Sequence, residues 1–170
     1  GSVSDLAGFV AATLLRGISW SVIPTTLLSM VDAGIGGKTG LNTDHGKNLI
    51  GAFHLPDSVY ICAKFLKALP LEEHRSGKGE ILKYAYLSEK IFQALLQESP
   101  LDKVIVLCAE YKQKLVDKDF KEKNVRKLLN FGHSFGHAYE KLYQIPHGEA
   151  VVWGILTILL MEKFSLDHFR

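Results

Sequence analysis

Cysteine is scarce in this sequence: two residues in 170, Cys62 and Cys108, far apart and without Cys-x-x-Cys spacing. That excludes a disulfide framework and a thiolate metal cluster, and two ordinary buried thiols in a reducing cytoplasm are the expectation. Long apolar runs are absent as well. The longest, AVVWGILTILLM at residues 150–161, is about half of the roughly 20 residues that cross a bilayer, so it predicts a buried core helix, and neither a membrane segment nor a signal peptide is visible. Charge of one sign is missing too. A net charge of +2 with both signs interspersed leaves no basic stripe for nucleic acid. No repeat or low-complexity stretch interrupts the chain. A strand ahead of the first helix is also lacking: GSVSDLAGFVAATLLRG begins on the approach to an amphipathic helix without an initiator Met, and reads as a chain cut at its start.

What is present is the composition of a folded globular protein, 47% hydrophobic and 22% charged, long enough for one full core or two small lobes. Apolar periodicity predicts a helix over 5–15, a short strand at WSVIP (20–24), a further helical turn at TTLLSMVDA, and strand-length runs NLIGAF (48–53) and SVYICA (58–63). After Pro70 the pattern becomes successive helices over 71–87, 89–97, 101–118, 124–143 and 148–165. A small α/β piece followed by an all-α lobe, with the boundary near residue 70, is the architecture these signals predict.

The glycine loop GIGGKTG (34–40) looks made to hold a phosphate, but it does not fit a nucleotide-binding P-loop. The first glycine of that pattern would fall at position 32, which is Asp32, and a helix rather than a strand feeds the loop. A second cluster lies downstream. NFGHSFGHAYE sets His133 and His137 at i and i+4 on one helix face, and His147 follows at the start of the next helix. With Glu80 from SGKGEILK, two or three imidazoles and a carboxylate form the ligand set of a catalytic zinc with an open position, though a single histidine of this kind is as easily an ordinary core or surface residue. Lys38, Lys47, Lys83, Lys112 and Arg126 supply positive charge around it, more than one carboxylate of a ligand requires. Arg126, two helical turns before His133, is expected on the same helix face.

Four segments in order, RGISWSVIPTTLLSMVDAGIGGKTGLNTDHGKNLIGAFHLP, SGKGEILKYAYL, KNVRKLLNFGHSFGHAYE and HGEAV, strongly resemble the 3-dehydroquinate synthases of the shikimate pathway, within the sugar phosphate cyclases. The resemblance covers essentially all 170 residues but about the middle half of a family member. It implies that residues 1–70 are the C-terminal part of an NAD-binding α/β domain and 71–170 a truncated helical domain for zinc and substrate. It further implies Glu80, His133 and His147 as zinc ligands, with cobalt an acceptable substitute, and moves His137 off the metal to act as a base near the phosphate. Asp32, Lys38, Asn48, Lys83, Lys112, Arg126, Asn130 and His137 match substrate-contacting positions, Glu122 a proton acceptor, and Glu122, His137 and Lys83 are the catalytic candidates. Arg16 matches an arginine that reaches the site of a partner subunit in a homodimer. Gly1, Asp5, Thr25, Thr26, Lys47, Phe65, Ala68 and Leu69 match NAD contacts. The substrate implied is a seven-carbon sugar acid phosphate, 3-deoxy-D-arabino-heptulosonate 7-phosphate, handled in the cytoplasm, and the phosphate that GIGGKTG awaits is the substrate's own.

The sequence departs from the family at three places. Ala68 replaces a usual threonine, Cys62 a usual acidic residue and Lys78 a usual apolar one. The first two bear on NAD contacts, and the third sits beside a metal ligand. Competing readings are a cyclase making a cyclitol such as 2-deoxy-scyllo-inosose or a valiolone, a metal-dependent polyol dehydrogenase, and an inactive truncated fragment.

Overall fold

The computed structural model describes residues 1–168, without the side chains of Lys47 and of residues 164–168. Helix α1 spans Ser2–Thr13 and closes through a short 3-10 turn at Leu14–Arg16. Strand β1 is only Ser21–Val22, and it pairs in parallel with β4, Ser58–Val59. Between them Thr26 and Ser29 exchange side-chain and backbone hydrogen bonds, the hydroxyls 2.8 Å apart, to start a helical segment that ends as a π-helical turn at Ser29–Ala33.

The glycine loop leads into a hairpin rather than a nucleotide cradle. Strand β2, Lys38–Thr43, pairs antiparallel with β3, Gly46–Phe53, with Lys38 opposite Phe53 and an irregularity between Leu41 and Thr43. KTGLNT lacks the alternating apolar residues of a strand signal, so no strand is expected there. Its pairing comes from β3, which presents a backbone edge just across the turn. SVYICA falls short of its expected length: β4 stops at Val59, and Ala63–Ala68 coils into a 3-10 turn.

The helical part follows the apolar periodicity closely. Helices α2 (Leu71–Leu87), α3 (Glu89–Leu96) and α4 (Leu101–Lys118) begin directly after Pro70, Ser88 and Pro100, and a proline ahead of the first turn removes no intrahelical hydrogen bond. The expected helix over 124–143 is instead two pieces. A 3-10 turn at Val125–Asn130 is separated from α5, His133–Tyr143, by Gly132 at φ 80°. That left-handed conformation breaks an α-helix and favours glycine. A side chain there would also strike Ile155 and the carbonyl of Val151. Helix α6 spans His147–His168. Among the described residues no helix is long and apolar enough to cross a membrane.

The main core joins α2, α3 and α4 through Ile81, Tyr84, Ile91, Val104, Ile105 and Cys108, and Leu27, Met30 and Val31 from the segment before the glycine loop are buried in it. Burial pushes the Cys108 thiol up to about 12, whereas Cys62 is half-exposed rather than buried. The N-terminal segment is thus anchored into the helical core just ahead of Asp32 and the glycine loop.

Candidate metal and anion site

Glu80 projects from the middle of α2 and is fully buried. Its Oε1 lies 3.5 Å from Nε2 of His133, the first residue of α5, and 3.3 Å from Nε2 of His147, the first residue of α6. The three donor atoms fall within 4.8 Å of one another. A close approach of backbones makes this possible: a side chain on Gly79 would strike the Gly148 backbone, and one on Gly148 the carbonyl of Ser76. The Gly148 N–H also reaches Ser76 Oγ at 3.3 Å. Each of these glycines is the neighbour of a donor residue, Gly79 of Glu80 and Gly148 of His147.

The donors fit a divalent ion. His133 directs Nδ1 to the carbonyl of Phe131 at 3.3 Å, and His147 directs Nδ1 to Glu140 Oε2 at 3.2 Å. With Nδ1 as donor, a neutral ring offers the Nε2 lone pair, and both Nε2 atoms face Glu80. Glu80 Oε2 is paired with the Lys83 ammonium, while Oε1, which faces both rings, has no hydrogen-bond partner among the described residues. Burial raises the Glu80 carboxyl, but contact with His147 and the charge of Lys83 hold it below the ordinary range. Burial lowers His133, while the contact of His147 with Glu80 raises His147. Converging lone pairs are thus satisfied either by a proton or by a metal cation in its place. His137 stands beside the cluster, its ring centroid 5.5 Å from His133 and 5.9 Å from His147. It belongs to a different three-donor group, with Glu140 and His147.

Next to the donors lies a cavity of about 280 Å³. Asp32, Lys38, Asn48, Lys83, Lys112, Arg126, Asn130 and His137 all line it, together with Glu122, His133 and His147. The expected reason for Arg126 was wrong, since the helix breaks at Gly132, but the residue still reaches the cavity. Its guanidinium is held by the carbonyls of Gly36 at 2.9 Å and Phe120 at 2.6 Å, and its buried Nε lies 3.7 Å from Glu122 Oε2 with no hydrogen-bond partner among the described residues. Each ammonium has a carboxylate: Lys38 pairs with Glu122, Lys83 with Glu80, and Lys112 with Asp32 Oδ1 at 2.8 Å. Asn130 donates to Glu122 at 2.7 Å.

Two supporting residues carry no spacing signal and were not anticipated. Tyr84 donates to Asp32 Oδ1 at 2.5 Å. Burial pushes Asp32 up, but Lys112 and Lys83 and the hydrogen bonds from Lys112 and Tyr84 hold its carboxyl well below the usual range. Asp119 accepts from the backbone N–H groups of Lys123, Asn124 and Arg126 at 2.9, 2.6 and 3.1 Å, shaping the turn that presents Glu122 and Arg126. An acidic residue at a helix end before the polar run KEKN is the only sequence hint of that bracket.

The expected NAD contacts are scattered by comparison. A larger open cavity of about 1090 Å³ shares Asn48, His137 and His147 with the smaller one and is lined by Ser2, Leu28 and Gly46. Gly1 caps α1, Asp5 is half-buried at a separate pocket beside β2, and Thr25, Phe65 and Ala68 are exposed. Thr26 is engaged with Ser29, and Leu69 packs on the core. Lys47 lies on β3 with its side chain outside the described set. Arg16 is exposed at φ 67° and lines neither cavity.

Comparison with known proteins bears on these features. The family model described as 3-dehydroquinate synthase N-terminal matches residues 1–76, and the one described as 3-dehydroquinate synthase C-terminal matches 77–167. The 3-dehydroquinate synthase of Thermococcus kodakarensis is 47% identical over 160 residues, 92% of this chain and 47% of that protein. That of Staphylococcus epidermidis is 46% identical over 189 residues, 99% of this chain and 52% of that protein. The chain spans about half the length of the curated relatives it matches. Among solved structures, a 2-deoxy-scyllo-inosose synthase superposes with a TM-score of 0.79 at 28% identity, over 91% of this chain and 46% of that one. The 2-epi-5-epi-valiolone synthase of Streptomyces hygroscopicus, solved with NAD+ and Zn2+ bound, superposes with a TM-score of 0.73 at 31% identity, over 89% and 46%. Identity is therefore higher to the dehydroquinate synthases than to these cyclitol-forming cyclases.

Proposed function

The chain belongs to the 3-dehydroquinate synthase family, and from that premise we propose that it serves the conversion of 3-deoxy-D-arabino-heptulosonate 7-phosphate to 3-dehydroquinate and inorganic phosphate. The observation that supports this most is the convergence of Glu80, His133 and His147 on the rim of a cavity walled by Lys38, Lys83, Lys112 and Arg126. When bound, a divalent ion at those three residues supplies Lewis acidity toward a substrate hydroxyl, and NAD supplies a reversible hydride acceptor.

The chain's own residues account for the rest. Four cations facing three carboxylates leave the cavity with one unbalanced positive charge before any ion binds. Lys38 and Arg126, whose Nε faces Glu122 without a hydrogen bond, are the groups assigned to the phosphate, Arg126 as a planar donor fixed by two carbonyls and Lys38 as a point charge. Lys83 and Lys112 hold the substrate's other oxygens, and Asp32 orients Lys112. Glu122 accepts the proton whose removal lets phosphate depart with the electrons of the broken C–O bond, while Asn130 fixes its carboxylate. The assignment of NAD contacts, the division near residue 70, the cytoplasmic location and a homodimer to which Arg16 contributes belong to the same proposal.

The test is phosphate release by the purified full-length gene product from the heptulosonate phosphate and, separately, from a hexose 6-phosphate. Release from the first alone, dependent on NAD and a divalent ion, is the expected result. Release from the hexose phosphate alone would make the protein a cyclitol-forming enzyme. Replacing Lys38 by Ala is expected to weaken substrate binding and leave NAD affinity nearly unchanged. Loss of NAD binding instead would reassign the glycine loop to the cofactor.

His137 gives a separate expectation. Its side chain is 63% exposed and stands outside the Glu80 cluster. His137→Ala should therefore keep its metal while turnover falls by about 10²–10⁴-fold, the range for a lost acid–base group. Metal analysis beside steady-state kinetics checks both halves, and loss of the ion would return His137 to the ligand set.

A further inference from the structure

Glu140 has no role in the scheme above, yet it faces the ring of His147 from the neighbouring helix. We propose that Glu140 is a positioning residue for the metal site, holding His147 in the tautomer and rotation that present Nε2 to the ion; this rests on the reading of Glu80, His133 and His147 as ligands. An ionised carboxylate can only accept, so the 3.2 Å contact of Glu140 Oε2 with His147 Nδ1 places the ring proton on Nδ1 and leaves the lone pair on Nε2. The scaffold behind it is tight. Glu140 is on α5 and His147 opens α6, and Gly136 of α5 lies directly against Ala150 and Val151 of α6. His133 directs Nδ1 to the nearby backbone carbonyl of Phe131, whereas His147 directs its Nδ1 to a side chain from another helix.

The same residues form a rival arrangement, since His137, Glu140 and His147 could hold an ion themselves. His147 cannot give Nε2 to one cation and Nδ1 to a second without losing its ring proton. With the Glu80 site filled, Glu140 therefore acts through His147 rather than on a metal of its own. A carboxylate in this position also raises the basicity of the ring nitrogen that binds the ion.

The experiment titrates metal-stripped protein with Co(II) against a chromophoric chelator, for the parent and for Glu140→Gln, Glu140→Ala, Glu149→Gln and Glu80→Gln. One cobalt per chain is expected in the parent. Glu140→Ala should weaken binding by about 10–100-fold, the usual cost of removing a partner of a metal-bound histidine. Glu140→Gln should weaken it less, because its amide oxygen still accepts from Nδ1, and Glu149→Gln, which lacks this contact, should not change it. If Glu140→Ala does not fold by circular dichroism, the isosteric Glu140→Gln carries the test against Glu149→Gln. Parent-like affinity in both Glu140 variants overturns the proposal, and so does a parent that binds two cobalt ions and loses one in Glu140→Ala. Parent-like binding by Glu80→Gln would instead overturn the ligand set, and this inference with it.

Discussion

Replacing Gly148 by alanine is expected to abolish stoichiometric metal binding and to lower the stability of the fold. A Cβ at this position would lie on the carbonyl of Ser76, and the atoms it meets are backbone, so no side chain can turn aside to make room. Helices α2 and α6 would have to separate. Forcing one extra methyl group into packed structure costs about 1–3 kcal/mol, and more when backbone must move. The effect on the metal should be larger than this figure implies, because Glu80 and His147 belong to the two helices being parted. Ligand distances of about 2.0–2.2 Å tolerate little displacement, and a site loosened by roughly 1 Å commonly fails. Gly79→Ala should behave alike from the opposite helix, whereas Gly1→Ala, where a side chain would meet nothing within 4 Å among the described residues, should be neutral. Metal content after dialysis and thermal melts of the three variants would decide the matter. A Gly148→Ala protein that retains one ion at parent stability would show that the glycine contact does not position the donors.

That contact also marks the limit of what the sequence could disclose. Helices α2, α3 and α4 were legible because apolar periodicity and the prolines ahead of α2 and α4 are local signals. His133 and His137 were legible as a pair because four residues make one helical turn. Spacing alone would have joined them on a metal, yet the structure gathers His133 with His147 and Glu80 and leaves His137 at the side. The donor from α2 arrives through contacts between Gly79, Gly148 and Ser76 that span most of the helical part, and no local window contains them. Strand β2 was hidden for a related reason, since its polar residues are ordered by pairing with β3. The 3-10 turn before α5 was hidden because the periodicity of 124–143 runs across a break imposed by Gly132. Tyr84, Asp119 and Glu140 act on other polar residues, and nothing in their spacing announces such roles.

The pairing of Glu80 with Lys83 yields the second large effect. Both side chains are almost wholly excluded from solvent, at 0% and 1% exposure, and they form an ion pair one helical turn apart. Burial pulls Lys83 down, but the carboxylates of Asp32 and Glu80 hold it above the ordinary lysine value, so it is charged at neutral pH. Removing one member of a buried pair leaves the other charge uncompensated, at a cost of about 3–5 kcal/mol, whereas replacing both by neutral groups of similar volume is often neutral or stabilising. In metal-free protein, Glu80→Gln should therefore be destabilised by about that amount in urea unfolding. Adding Lys83→Met should recover most of it, with a shortfall where Asp32 loses the compensation of Lys83. Neither variant should bind a divalent ion stoichiometrically, because the only carboxylate among the three converging donors is gone. Such a result would mean that the pair is kept for the charge it places at the site, at the expense of the stability a neutral core would give. A double variant as unstable as the sum of the two single changes would show instead that Glu80 and Lys83 do not compensate each other, and the energetic argument for a functional origin would fail.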